Sequence, residues 1–154
     1  NQIAKEGPLH NPADRDHCLQ YIVAIGLIHG DLESDHYEAK AAADPRIDAL
    51  RDKMVVTEDP AFTEAFYNVD DPANPHAVEI TYKDGSKSAR SAVQYPLGHY
   101  SRRSEGKPLL EAKFHKNITG RLGAEKETQL LALFDDRAAF EAIAVDDFMS
   151  FLAK

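Results

Sequence analysis

Apolar residues are spread unevenly along the chain. Between Cys18 and Ile28 only Gln20 and Gly26 interrupt them, so a helix there is hydrophobic around its whole circumference rather than along one stripe. Such a helix needs cover on every side. The run is too short to cross a bilayer, which takes roughly 20 apolar residues, so the expected cover is protein. Polar neighbours bound it: Asp14 or Asp16 is expected to cap its start, and Gly30 falls where a left-handed C-terminal cap would stand, giving a helix from about Asp14 to His29.

Shorter signals follow. The stretch "ESDHYEAK" reads as a polar helix begun by Ser34 or Asp35, and "DPRIDALRDK" as a helix capped by Asp44 with Pro45 in its first turn. "MVVTED", from Met54, has the β-branched content of a strand, and "DPAFTEAF" repeats the Asp-Pro helix start at Asp59 and Pro60. After a loop rich in Asp, Asn and Pro ("YNVDDPANPH"), the alternation of Val78, Ile80 and Tyr82 runs into Asp84-Gly85. It predicts a β-hairpin from about Ala77 to about Tyr95. "PLGHYSRRSEGK" reads as a basic loop and "PLLEAKFHKNI" as a helix beginning at Pro108. "AEKETQLLALF", "DRAAFEAI" and "VDDFMSFLA" are three further amphipathic pieces. The order predicts an α+β fold with a small, mainly antiparallel sheet, and no glycine-rich phosphate loop follows a strand.

Composition narrows the partners. A net charge of -8 argues against nucleic acid, which calls for a basic face, and no span long enough for a membrane is present. The single cysteine, Cys18, lies in the apolar run, where it cannot form an internal disulfide and where a reactive thiolate is disfavoured. A reducing, cytoplasmic setting is expected. The chain opens on Asn1 rather than Met, and "NQIAKEGPLH" has neither the basic start nor the apolar core of a signal peptide, so a piece of a longer polypeptide is expected.

Two places invite chemistry. His17 stands four residues before Tyr21, so on one continuous helix the two would share a face, and the phenol could donate to a carboxylate or hydroxyl. Alternatively Tyr21 is a core residue whose hydroxyl finds a partner within the protein. His99, Arg102, Arg103 and Lys107 form the densest cationic cluster of an acidic chain, either an anion clamp or a solvated basic loop. No metal-ligand spacing and no nucleophile elbow occur.

Taken together, "GPLHNPADRDHCLQYIVAIGL", "DPRIDALRDKM", "EDPAF", "VQYPLGH" followed by "RR", and "EGKPLLEAKFHKNI" resemble, in order, the C-terminal part of the MmgE/PrpD superfamily, as in its members that dehydrate 2-methylcitrate. The resemblance implies a lid domain over residues 1–120 and a helical segment, 121–154, returning to an all-helical N-terminal domain outside this chain. It implies Tyr21 in a catalytic role, with His17, His99, Arg102 and Arg103 binding a tricarboxylate. No cofactor and no metal are implied, and the full-length protein would be a homodimer in the cytoplasm, with this portion inactive alone. Related enzymes acting on citrate or cis-aconitate, and a non-catalytic interaction module, are the alternatives.

Overall fold

The computed structural model describes residues 3–153, which divide between two compact units, Asn1–Pro60 and Ala61–Lys154. In the first unit the Asn11 side chain caps helix α1 (Pro12–Asp16) by accepting from the Asp14 amide at 2.9 Å, with Pro12 opening the helix. The chain leaves the helix at His17, passes extended through Cys18, and re-enters one as α2 (Leu19–His29). One continuous helix from Asp14 was expected. The break has a non-local cause: the Leu19 amide donates to the Ile3 carbonyl at 2.8 Å, so an incoming strand of backbone serves the start of α2 instead of an aspartate. Asp14 instead accepts from His10 and pairs with Lys5 at 3.5 Å. At the other end Gly30 closes α2 as expected, at φ 80°, its amide donating to Gly26.

A 3-10 helix (Ser34–Tyr37) follows, its Glu33 and His36 side chains exchanging bonds with each other's backbone, and then α3 (Ala39–Ala42). Asp44 accepts from the Arg46 amide at 2.9 Å and Pro45 opens α4 (Pro45–Arg51), as the Asp-Pro signal predicts. Cys18, Tyr21, Ala24 and Ile25 bury against Ile47 of α4, with Leu9, Ile28, Tyr37 and Leu50 packed around them. The strand expected at Met54 does not form. Among the described residues no segment pairs with it, Val55 is exposed, and a β-branched run without a hydrogen-bonded neighbour stays irregular.

In the second unit α5 (Pro60–Tyr67) begins at its proline as expected. Strands β1 (His76–Val78) and β2 (Ser91–Val93) pair antiparallel, His76 opposite Val93, and an isolated bridge joins Thr81 to Lys87. Between these pairings the second strand carries one residue more than the first, a bulge that shortens the regular ladder relative to the predicted span. Asp84-Gly85 does form the tip. Gly85 sits at φ 84°, its amide donates to Tyr82, and the Tyr82 amide donates to Ser86 at 2.8 Å.

A 3-10 turn (Tyr100–Arg102) leads into α6 (Arg103–Ile118). That helix starts well before Pro108, which lies inside it, so half of the expected basic loop is helical. Helices α7 (Ala124–Asp135), α8 (Arg137–Ala142) and α9 (Val145–Leu152) complete the chain. Aromatic rings join them to one another and to α6: Phe134 meets Phe114 of α6 edge-on at 5.2 Å, and Phe140 meets Phe148 at 5.8 Å.

Candidate functional site

Each unit carries one of the two constellations anticipated from the sequence. In the first, the break between α1 and α2 governs the geometry. His17 falls outside α2, so it does not share a helical face with Tyr21, contrary to the expectation from their spacing. Its ring is exposed, Nδ1 lies 2.5 Å from an Asp16 carboxylate oxygen, and a carboxylate there fixes the proton on Nδ1.

Tyr21 is inside. It is 2% exposed, its hydroxyl donates to the His36 carbonyl at 2.6 Å, and its ring stacks on Tyr37 with centroids 6.3 Å apart. This is the packed ring with a satisfied hydroxyl that the core reading describes. Burial pushes the phenol above its ordinary pKa, and the nearby Arg15 guanidinium is the largest influence in the opposite direction. Arg15, which nothing in the sequence marked as a site residue, is itself only 6% exposed and donates from Nη1 to the Tyr37 carbonyl at 2.7 Å. Tyr21 and Arg15 therefore hold two consecutive carbonyls at the end of one 3-10 helix. A lone arginine at the threshold of an all-apolar helix was the signal that could have found it.

In the second unit the loop before α6 is tied down by an aromatic and carboxylate knot. His99 lies between Tyr95 and Tyr100, with centroids 4.6 and 4.2 Å away. The Asp71 carboxylate accepts from Tyr95 at 2.5 Å and from Tyr100 at 3.4 Å. That bond keeps the Tyr95 phenol above its usual pKa, because the acceptor is anionic. His99 uses both ring nitrogens. Nδ1 accepts from the Ser101 amide at 3.2 Å and so caps the 3-10 turn, while Nε2 stands 2.8 Å from the Pro72 carbonyl and must carry the proton.

Arg102 is engaged as well. It donates to the Tyr95 carbonyl at 2.9 Å and pairs with Glu105 at 2.8 Å, which holds the Glu105 carboxyl below its usual range. Lys107 pairs with Glu111 at 3.2 Å. Arg103, at the first position of α6 and exposed, makes no side-chain hydrogen bond or ion pair among the described residues. The basic cluster thus resolves into His99, Arg102 and Lys107, already engaged within the chain, and Arg103, which is open.

Gly106 sets how closely α6 approaches this loop. A Cβ there would stand 2.4 Å from the Leu97 carbonyl oxygen, so only glycine permits the contact. Among the described residues no three metal-ligating side chains converge, and no helix is long and apolar enough to cross a membrane.

Over 151 residues the chain is 44% identical to the 2-methylcitrate dehydratase of Cupriavidus necator, covering 98% of the chain and 31% of that protein. It is 42% identical over 147 residues to the Salmonella typhimurium 2-methylcitrate dehydratase, covering 96% of the chain and 30% of the relative. To the mitochondrial 2-methylcitrate dehydratase of Yarrowia lipolytica it is 50% identical over 130 residues, 84% of the chain and 25% of the relative. The chain thus spans between 25% and 31% of the length of these relatives. Residues 1–136 match the MmgE/PrpD C-terminal domain, and the chain belongs to the MmgE/PrpD family.

Proposed function

We propose that this chain is the C-terminal portion of a 2-methylcitrate dehydratase, in which residues 1–120 form a lid over the substrate and 121–154 pack on a helical N-terminal domain. The observation that carries the reading is agreement with several such dehydratases along nearly the whole chain. The reaction removes water across two adjacent carbons to give 2-methyl-cis-aconitate. A base takes the proton from a carbon next to a carboxylate, and the neighbouring hydroxyl leaves with a second proton as water. Negative charge grows on a substrate that is already a polyanion, so hydrogen-bond donors and cations must be aimed at its oxygens.

In this chain that work falls first to Tyr21 and Arg103. Tyr21 releases the His36 carbonyl and donates to a substrate oxygen, its packed ring keeping the hydroxyl in place. Arg103, the open cation, takes a carboxylate. His17, its ring exposed, adds a further donor or acceptor, while His99 and Arg102 shape the loop that carries Arg103. The principal acid and base belong to the rest of the longer polypeptide, which acts as a cytoplasmic homodimer without cofactor, metal cluster, nucleic acid or membrane.

Assay of the full-length polypeptide on 2-methylcitrate, citrate and cis-aconitate tests this. Turnover should be greatest on 2-methylcitrate, and decarboxylation of cis-aconitate without any dehydration would overturn the assignment. A charge-assisted hydrogen bond is worth roughly 1.5 to 3 kcal/mol, so Tyr21→Phe should lower kcat/KM on the order of tenfold to a hundredfold. Arg103→Ala should act through KM, by an amount that shrinks as salt screens the attraction. Full activity in Tyr21→Phe would make the tyrosine a core residue only.

A further inference from the structure

Arginine cannot shed its charge inside a protein, and a buried charge is tolerated when a carboxylate balances it. The first unit holds two arginine side chains that are almost wholly buried, and they differ in this respect. Arg51 pairs with Asp48 at 2.6 Å and donates to the Gly7 carbonyl at 2.9 Å. Arg15 has no carboxylate partner among the described residues. Its one side-chain hydrogen bond goes to a neutral carbonyl, and its Nε, like that of Arg51, is buried with no acceptor among the described residues. An uncompensated positive charge is therefore held inside the unit.

Its place gives that charge a use. Arg15 and Tyr21 donate to successive carbonyls, Tyr37 and His36, so the guanidinium and the phenol are neighbours across one peptide unit. The charged and titratable groups around the phenol are Arg15 from α1, Tyr37 from the 3-10 helix, and Asp48 and Arg51 from α4. Asp48 and Arg51 balance each other, and Tyr37 is neutral with its own phenol raised by burial. Of these groups Arg15 acts most strongly on the Tyr21 phenol.

We infer that Arg15 is a positioning residue for Tyr21, fixing the carbonyl row that holds the phenol and placing an unbalanced cation beside it so that it becomes a stronger hydrogen-bond donor. The inference rests on the reading above that Tyr21 addresses the substrate. As the phenol gives its proton toward a substrate oxygen, its own oxygen gains negative charge. In a water-poor interior an adjacent cation stabilises that charge far more than it would in solvent.

The test uses the full-length polypeptide. Arg15→Met and Arg15→Gln remove the charge, and the glutamine keeps a donor for the Tyr37 carbonyl. Both should lower kcat on 2-methylcitrate by about tenfold to a hundredfold while KM moves less than about threefold. Arg15→Lys keeps the charge and should recover most of the loss. Independently, NMR of carbon-labelled tyrosine, with the Tyr21 signal assigned through Tyr21→Phe, should show the phenol titrating at higher pH in the neutral variants and near the parent in Arg15→Lys.

If all three variants merely lower Tm and leave both kcat and the titration unchanged, Arg15 is a structural clamp and the inference is wrong. Should Tyr21→Phe prove fully active, the catalytic reading of Tyr21 fails, and the titration alone then decides. An upward shift without the guanidinium sustains the coupling, and an unmoved titration overturns it.

Discussion

In Asn1–Pro60 the apolar side chains of two helices close on one another, whereas in Ala61–Lys154 rings touch at their edges and loops are held by hydrogen bonds. The first unit buries Cys18, Ala24, Ile25 and Ile47 almost completely. In the second, among the described residues, only Ala73 and Leu130 reach comparable burial, while Leu109, Leu110 and Val145 stand open to solvent. Both units have helices with apolar residues; they differ in whether a second element covers them. The comparison teaches that rigidity in the second unit is local, concentrated in the Asp71, Tyr95 and His99 knot, whereas in the first it is shared through a core.

The sharpest way to break that contrast is to remove a side chain from each. Ile25→Ala should cost about 2 to 5 kcal/mol, because the site is closed and cannot collapse freely. Phe134→Ala, at a ring that is 46% exposed, should cost less than half as much. Denaturant midpoints measure both, and equal losses would show that the second unit is packed as tightly as the first.

An intermediate effect is expected at Gly106. Alanine there must push α6 off the Leu97 carbonyl, at a cost of about 1 to 3 kcal/mol. Amide exchange should quicken at Ser101 and Arg102 and stay unchanged in α2. A variant with wild-type exchange would mean that the loop gives way freely, and that the knot is not what positions Arg103.

The smallest effect concerns acid. Arg46 and its amide hold the Asp44 carboxyl down to about 2, below its ordinary value. A depressed carboxyl stabilises the fold above the unfolded pKa and loses that contribution as pH falls through the folded one, here between about pH 4 and 2. Asp44→Asn should flatten the acid limb of the first unit's melting curve in that window and leave the second unit's limb unchanged. An acid limb unaltered by the substitution would show that the carboxyl is not held down in the folded state.

Features written in neighbouring residues were legible beforehand. Asp44-Pro45, Asp59-Pro60, Gly30 and the Asp84-Gly85 tip each act within a few residues, so their signals survive in one dimension. The break at His17 and Cys18 was not legible, since it depends on the Ile3 carbonyl arriving from elsewhere in the chain. Pro108 misled for the same reason. Proline favours a helix start, but here His99 and Arg102 begin the helical path earlier and the helix continues through the proline. At the candidate site, the resemblance marked Tyr21 and the basic loop. That His99 is engaged follows from the distant Pro72 carbonyl, which no spacing rule reveals, whereas the Arg102–Glu105 pair has the i, i+3 spacing of a helix surface and was open to sequence reading.

The hairpin tip bears on how the protein ages. Asp-Gly sequences degrade when the glycine nitrogen attacks the aspartic side-chain carboxyl and closes a five-membered imide, a reaction that needs a free nitrogen and favours a protonated acid. At Asp84 neither condition is met in the folded state. The Gly85 amide donates to Tyr82 at 3.0 Å, and Ser86 holds the carboxyl in its ionised form through its amide and its hydroxyl. These three hydrogen bonds therefore shield the turn's most fragile peptide link, and the link becomes vulnerable wherever the hairpin opens.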